Sequence, residues 1–269
     1  MKNEKALGSV AISEVNTALE PMWRSVIPLF TGREATGRPV AFGSAVLVEF
    51  GGQRFLVTNR HVVDEYLTST IFAWSGAGFV AITGDFFCTP ETDSDVAVLR
   101  LAGDLNDQLA DQVFLSEADI LPADEYDGVN HLTLVGYPAS RSKEIRQART
   151  VRTQCYSIGV RVLSLAGNTL RGSFLRTRQR DGQSGLKVTA PEPDGMSGGG
   201  MFASKVSAAN PDGNHSTKLA GISMERPKEE IEVIGTKIAI VLAIIRDSYG
   251  TPIPEALAPA RVTAVLNPE

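Results

Sequence analysis

A chain of 269 residues is long enough for one large domain or two small packed units with a sizeable core. Hydrophobic residues make up 43% and charged residues 21%, proportions that are ordinary for a soluble globular protein. The formal net charge of −5 argues against a general nucleic-acid-binding protein, because affinity for a phosphate backbone requires a basic surface.

Neither a membrane span nor an export signal is apparent in the sequence. No run of 18 consecutive apolar residues occurs, so we expect no transmembrane helix. The N-terminal segment lacks the continuous apolar core and small-residue cleavage site of a secretory signal. The only two cysteines, Cys88 and Cys155, are therefore expected to be reduced thiols. A cytoplasmic location follows, provided that Met1 is the natural start.

Residues 1–23 are predicted to be an N-terminal helical segment. Within it, residues 13–23, SEVNTALEPMW, have the pattern of a short amphipathic helix. Ser13 can cap that helix, and Leu19 and Met22 fall on one face of it.

From about residue 24 the sequence consists of short β-rich segments separated by turn residues. Six of them come before residue 102: SVIPLF, AFGSAVLVEF, QRFLVTN, STIFAW, FVAITGDFF and DVAVLRL. Gly51 and Gly52 predict a tight hairpin turn between the second and the third. We assign residues 24–120 to a first β unit. The acidic stretch over residues 102–128 is predicted to be a connector with one helical turn.

A second β series follows the connector and fills residues 121–250. Its segments are HLTLVGYP, TQCYSIGVRVLSLAG, TLRGSFLRTR, GLKVTAPE, GGGMFAS, KLAGISME and TKIAIVL. The last of these runs into a predicted closing helix that stops at Gly250. Residues 251–269 contain several prolines and are expected to form an extended tail. Two clusters of short strands predict an all-β protein built as two antiparallel barrels or as a sandwich.

A glycine-rich stretch, DGMSGGGMF at residues 194–202, surrounds a single serine, Ser197. Glycines allow a tight turn that exposes the Ser197 hydroxyl and lets a substrate approach closely. Such a turn can also direct the amides of Gly195 and Ser197 to one point, as an oxyanion hole requires. The alternative is an ordinary flexible turn between two strands.

Two further residues complete a candidate catalytic set. His61 follows an apolar run in TNRHVV, and Asp95 precedes the strand DVAVLRL. A partly buried aspartate needs a partner such as a histidine, since burying a lone carboxylate costs several kcal/mol. Asp93 is an alternative for the same role. The order His61, Asp95, Ser197, each at a strand–loop junction, predicts a cleft between the two β units.

At these residues the chain resembles the trypsin-like (chymotrypsin-fold) serine proteases, and among them the bacterial HtrA/Deg branch. The resemblance lies in GSAVLV, FLVTNRHVV, DVAVLRL and GMSGGG, together with LVGYP and KLAGISM from the second β unit. It implies an all-β fold of two six-stranded antiparallel β-barrels with a short N-terminal and a C-terminal helix. It also implies a serine endopeptidase that works through an acyl-enzyme and needs no cofactor.

The resemblance assigns roles to individual residues. Ser197 would be the nucleophile, His61 the general base and Asp95 the residue that orients the imidazole. The amides of Gly195 and Ser197 would form the oxyanion hole. Ser223 matches a strand serine that supports the aspartate in many family members.

Other positions depart from the family pattern or leave alternatives open. Met196 stands where digestive-type members carry an aspartate that captures a freshly cut N-terminus. HtrA proteins usually carry a PDZ domain after the protease, whereas here we expect a stand-alone protease domain. Met224, Glu192 and Glu225 fall where the family forms its specificity pocket. Either glutamate can attract a basic side chain or be a solvated rim charge, and Glu225 can also narrow the pocket.

The remaining predictions concern partners and the rival functions. The basic segments at residues 140–152 and 175–182 contain no aromatic residue for stacking, so we expect solvated loops, or a loop that binds a regulatory protein, and no nucleic acid. His131 and His215 lie far from either cysteine, so no metal site is predicted. The alternatives to a protease are a protease-like binding or sensor module with a closed site and a non-peptidase serine hydrolase. Membrane association is not expected.

Overall fold

The computed structural model describes residues 22–33, 38–64, 70–75, 78–90, 94–145, 150–175, 177, 179–180, 186–204, 217–224, 232–259 and 261–266. Of the helix predicted over residues 13–23, all but the last two residues lie outside this part of the chain. Met22 and Trp23 are described, and both are helical.

Eighteen strands and three α-helices make up the described part of the chain. The strands are β1 Val26–Arg33, β2 Arg38–Phe50, β3 Gln53–Thr58, β4 Ile71–Trp74, β5 Phe79–Ala81, β6 Phe87–Cys88, β7 Ala97–Arg100, β8 His131–Gly136, β9 Lys143–Ile145, β10 Thr150–Arg152, β11 Tyr156–Ser164, β12 Thr169–Ser173, β13 Gln179–Arg180, β14 Lys187–Val188, β15 Gly200–Ser204, β16 Thr217–Ser223, β17 Glu232–Lys237 and β18 Val265–Leu266. The helices are α1 Arg60–Asp64, α2 Asp104–Gln108 and α3 Ile238–Tyr249, and 3₁₀ turns cover Glu117–Asp119, Ala123–Glu125 and Ala139–Arg141.

The first sheet has eight strands in the order β18-β6-β7-β3-β2-β1-β4-β5, and every pair is antiparallel. Gly51 and Gly52, with φ of 56° and 72°, form the predicted hairpin turn between β2 and β3. The sequence predicted six strands here. The count differs because Gly84, at φ 120°, interrupts the predicted strand between β5 and β6, and because β18 from the C-terminal segment joins the sheet.

The second sheet closes into a six-stranded barrel in the order β11-β12-β17-β16-β15-β8. This arrangement confirms the predicted all-β class and the six-stranded second barrel. Segment GLKVTAPE, predicted as a barrel strand, instead contributes the two-residue β14 to a small hairpin with β13, outside the barrel. Strands β9 and β10 form another two-stranded ribbon outside the barrel.

Helix α3 packs against both sheets and is apolar on all sides from Ile238 to Ile245. Seven of its residues are buried, including a continuous run from Ile240 to Ile245. The helix begins at Ile238, earlier than predicted, because an entirely apolar run has no helical periodicity to distinguish it from a buried strand. It ends as predicted at Gly250, which adopts the left-handed conformation at φ 66°. No helix in the described ranges is long and apolar enough to cross a membrane.

Candidate active site

The pairing of β3 with β7 brings His61 and Asp95 together. Thr58 at the end of β3 lies opposite Ala97 at the start of β7. Because these strands are antiparallel, a residue just after β3 lies beside a residue just before β7. His61 is at the start of α1, whose Val62 and Val63 are buried in the core of the first sheet. Those two valines therefore hold the histidine at the edge of the sheet.

The contact between His61 and Asp95 uses both oxygens of the carboxylate. The imidazole Nδ1 is hydrogen-bonded to Asp95 Oδ2, and the backbone N–H of His61 donates to Oδ1 at 3.1 Å. Both side chains are partly buried, at 32% exposure for His61 and 17% for Asp95. The carboxylate thus fixes the position of the histidine backbone and the orientation of its ring.

Two residues that the sequence analysis did not single out hold the backbone of Asp95. Asn59 Nδ2 donates to the Asp95 carbonyl at 2.7 Å, and the Asp95 N–H donates to Thr236 Oγ1 at 3.3 Å. Asn59 lies within the TNRHVV motif, so its closeness to the site could have been predicted from the sequence. Thr236 is 141 residues from Asp95 and belongs to β17 of the second barrel, so no local pattern predicts this contact. The alternative aspartate, Asp93, lies outside the described residues.

Ser197 lies in the loop before β15 and shares a cavity with His61. The cavity has a volume of about 220 Å³, and its wall includes His61, Gly195 and Ser197. Ser197 is 8% exposed. Within the described residues no hydrogen bond joins the Ser197 hydroxyl to His61. Contacts of this kind are often long before substrate binds.

The backbone around Ser197 is oriented by hydrogen bonds to its carbonyl groups. The Asp194 carbonyl accepts from the Ala139 N–H at 2.7 Å, and the Met196 carbonyl accepts from Ser223 Oγ at 2.8 Å. In a trans peptide the C=O and the following N–H point in opposite directions. The N–H groups of Gly195 and Ser197 therefore point away from Ala139 and Ser223, and within the described residues neither has an acceptor.

Gly195 must be a glycine for this arrangement. Its φ is 87°, and a Cβ at this position would lie 2.7 Å from the Ala139 nitrogen. A side chain would therefore be strained and would push the loop away from the residue that orients it. The result is a pair of open amides beside the Ser197 hydroxyl, which is the chemistry of an oxyanion hole.

Comparison with known families identifies the domain that carries this site. Residues 43–207 match the model of the trypsin-like peptidase domain, and this range includes His61, Asp95 and Ser197. The chain belongs to the trypsin-like peptidase family. This confirms the family predicted from the motifs, whereas the HtrA/Deg branch stays a prediction.

Solved structures support the same fold. The active form of the Rv3671c protease from M. tuberculosis is similar at 14% identity and a TM-score of 0.50, over 93% of this chain and 90% of that one. The serine endoprotease from Yersinia pestis is similar at 15% identity and a TM-score of 0.50, over 87% of this chain and 67% of that one. A sequence search of curated proteins found no match.

The loop that carries Ser197, residues 194–199, is called the serine loop below. Two residues that anchor it in this trypsin-like peptidase differ from the family pattern. The Ser223 hydroxyl, expected to support the aspartate, donates instead to the Met196 carbonyl. Met196 is 1% exposed and packs in the core of the second barrel. The loop is therefore held by apolar burial at the position where digestive-type members use a charged aspartate.

The predicted pocket residues occupy different surroundings. Met224 lines the cavity beside the apolar side chains of Leu134 and Val233. Glu192 is exposed and is not part of the cavity wall. Glu225 lies outside the described residues. In the described part of the wall, Asp194 and His61 are the only ionisable residues, and apolar side chains share the wall with the polar groups of Ser197 and Ser223.

Both cysteines of the peptidase are free thiols. Burial and, to a smaller extent, the neighbouring Asp64 carboxylate raise the pKa of Cys88 to about 12. Burial also raises the pKa of Cys155 to about 12, against the lowering effect of its hydrogen bond with Tyr137. Both thiols are therefore protonated at neutral pH and are poor nucleophiles.

The basic segments are only partly within the described residues. Arg141 lies over the ring of Tyr156, with its guanidinium carbon 5.5 Å from the ring centre. Arg146, Arg149, Arg176 and Arg178 lie outside the described residues, as does His215. Among the described residues no group of three or more His, Cys, Asp and Glu side chains is placed to hold a metal ion.

Proposed function

We propose that this protein is a serine endopeptidase that hydrolyses peptide bonds of a protein substrate. In the first step Ser197 Oγ bonds to the carbonyl carbon while His61 takes the hydroxyl proton. The C–N bond then breaks, His61 gives the proton to the leaving amine, and an ester to Ser197 remains. Water repeats the sequence, with His61 as base and then as acid, and releases the carboxylic acid and the free serine.

The hydrogen bond between His61 Nδ1 and Asp95 Oδ2 is the observation that carries this proposal. An ionised carboxylate only accepts hydrogen bonds, so the contact places the proton of a neutral imidazole on Nδ1. The other ring nitrogen, Nε2, then carries the lone pair and can act as the general base. Asp95 also stabilises the imidazolium that forms after proton transfer.

The two open amides supply the second part of the catalysis. As the carbonyl carbon becomes tetrahedral, its oxygen gains negative charge that needs hydrogen-bond donors. The N–H groups of Gly195 and Ser197 are pre-oriented for this by bonds on the carbonyl side of each peptide. Each such donor stabilises the transition state by roughly 3–4 kcal/mol in other enzymes.

A fluorophosphonate probe tests the nucleophile directly, because it phosphonylates an activated serine. The wild type should be labelled and Ser197→Ala should not. Ser140→Ala is the matched control: it removes an exposed serine beside the cavity residue Ala139 and should leave labelling unchanged. Equal labelling of the folded wild type and Ser197→Ala would contradict the proposal.

Turnover assays separate the endopeptidase from the other candidates. Cleavage of casein or of a peptide library by the isolated chain supports an endopeptidase. Cleavage of small esters without peptide cleavage would indicate a non-peptidase hydrolase. No labelling and no turnover would favour a binding or sensor module. Turnover only after a second protein is added would support the proposed regulatory partner.

A further inference from the structure

Ser44 connects the first sheet to the second barrel through three hydrogen bonds, two of them to the serine loop. Its backbone N–H donates to the Ser197 carbonyl at 2.8 Å, and its hydroxyl donates to the Gly195 carbonyl at 2.9 Å. The same hydroxyl accepts from the Tyr137 N–H at 3.0 Å. One residue of β2 thus contacts two separate loops of the second barrel.

Among the three peptides between Asp194 and Ser197, the hydroxyl of Ser44 fixes the one whose carbonyl is not bonded within the second barrel. The carbonyls of Asp194 and Met196 both accept from residues of that barrel. The Gly195 carbonyl, between them, accepts from Ser44. The Gly195–Met196 peptide is joined at Gly195 to the peptide that carries the Gly195 N–H, and at Met196 to the peptide that carries the Ser197 N–H. Fixing it therefore restricts the torsions on which the directions of both amides depend.

Ser44 also contacts the strand that leads to His61. Its carbonyl accepts from Thr58 Oγ1 at 2.8 Å, and Thr58 is the last residue of β3, three positions before His61. Ser44 is 0% exposed, so its bonds do not compete with water. The contacts therefore join the strand that leads to the base to two peptides of the serine loop, Gly195–Met196 and Ser197–Gly198.

We propose that Ser44 is a positioning residue that holds the serine loop in register with His61. The inference rests on the proposed function and deepens it. Ser44 itself touches no reacting atom and acts through the residues of the serine loop. Loss of its hydroxyl leaves the Gly195 carbonyl without its donor and the Tyr137 N–H without its acceptor. The loop can then rotate, and both the nucleophile and the oxyanion amides lose their alignment.

Ser44→Ala tests the inference, with Ser25→Ala as a matched control. Ser25 is also 0% exposed and also donates its hydroxyl to a backbone carbonyl, that of Met22 at 2.6 Å, but it does not contact the serine loop. Both variants lose a buried hydroxyl and should have a lower thermal midpoint. Ser44→Ala should slow fluorophosphonate labelling about tenfold or more, and should lower kcat for a cleaved peptide far more than it changes KM. Ser25→Ala should match the wild type in both.

Ser44→Cys provides a second measurement, and keeps the inference testable if the alanine variant does not fold. A thiol has a similar shape but donates weakly, so labelling should be intermediate between serine and alanine. Wild-type rates in Ser44→Cys and Ser44→Ala would overturn the inference. So would an equal slowing in Ser44→Ala and Ser25→Ala, because the effect would then be a general loss of stability.

The outcomes for Ser44 and for the proposed function are separable. If Ser197 is not the nucleophile, the wild type itself is not labelled. Amide hydrogen exchange then still tests the contact: the Tyr137 N–H should exchange faster in Ser44→Ala than in Ser25→Ala. Unchanged protection of that amide would overturn the positioning role whatever the activity.

Discussion

The substitution Gly198→Ala tests how closely the two β units approach each other at the serine loop. Gly198 has a φ of 82°, and a Cβ at this position would lie 2.1 Å from the Ser44 carbonyl oxygen. Ordinary contact begins at 3.4 Å, so the loop would have to move by about 1.3 Å. The obstacle is backbone rather than the end of a flexible side chain, so it cannot rotate out of the way.

The expected loss in the free energy of unfolding of Gly198→Ala is the sum of two costs. Placing an L-residue in the left-handed region costs about 1–2 kcal/mol. Inserting a methyl into a packed region adds about 1–3 kcal/mol. Gly128→Ala isolates the first cost, because Gly128 has a similar φ of 89° and a Cβ there would meet nothing within 4 Å. We expect the free energy of unfolding to fall by about 1–3 kcal/mol more in Gly198→Ala than in Gly128→Ala.

Thermal denaturation and fluorophosphonate labelling measure the two consequences. A loss of 1 kcal/mol lowers the midpoint of a domain of this size by about 2–4 °C. A misplacement of about 1 Å costs about 10²-fold in rate, so labelling should also slow in Gly198→Ala and stay at the wild-type rate in Gly128→Ala. Equal midpoints for the two variants would refute the steric reasoning, and wild-type labelling in Gly198→Ala would refute the link to catalysis.

Three further predictions concern the groups around the site. Asp95→Asn should slow turnover by about 10⁴-fold with little change in KM, since an amide no longer selects the base tautomer of His61; a change under tenfold would contradict it. Ser223→Ala should cost about 1 kcal/mol of stability with little loss of labelling, because the Met196 carbonyl still accepts from the Gly199 N–H at 2.9 Å. A loss of activity as large as that of Asp95→Asn would instead mean that Ser223 supports the aspartate. Burial raises the pKa of both Cys88 and Cys155 from 9.0 to about 12, so the folded state stays protonated while the unfolded state loses protons. Their contribution to stability should be constant below about pH 9 and should be lost as the pH rises to about 12. The urea midpoint of the double variant Cys88→Ala, Cys155→Ala should therefore fall less over this range than that of the wild type, and equal slopes would contradict the prediction.

Features that depend on a few neighbouring residues were predictable from the sequence. The hairpin turn at Gly51 and Gly52 requires positive φ at both positions, and only glycine adopts it freely. The end of α3 at Gly250 has the same origin. The motifs around His61, Asp95 and Ser197 predicted a shared cleft, and His61 and Ser197 do line one cavity.

Features that depend on which strands meet were not predictable. Strand β18 is two residues long, and only its pairing with β6 makes it a strand. The start of α3 was misplaced because an apolar run that is buried on every side has the same pattern as a buried strand. The hydrogen bond from the Ser223 hydroxyl to the Met196 carbonyl joins residues 27 positions apart, so no local motif predicts it.

The sequence by itself determined the family, the all-β class and the residue types available for catalysis, because each follows from short local motifs. Only the tertiary structure decided how Ser44 reaches Gly195 and how Thr236 reaches Asp95, over 151 and 141 residues of chain. Both contacts are single hydrogen bonds between the first sheet and the second barrel. Their geometry depends on how the two units dock. The partner of a buried Ser or Thr cannot be predicted from the sequence, because no periodic pattern of residues indicates it.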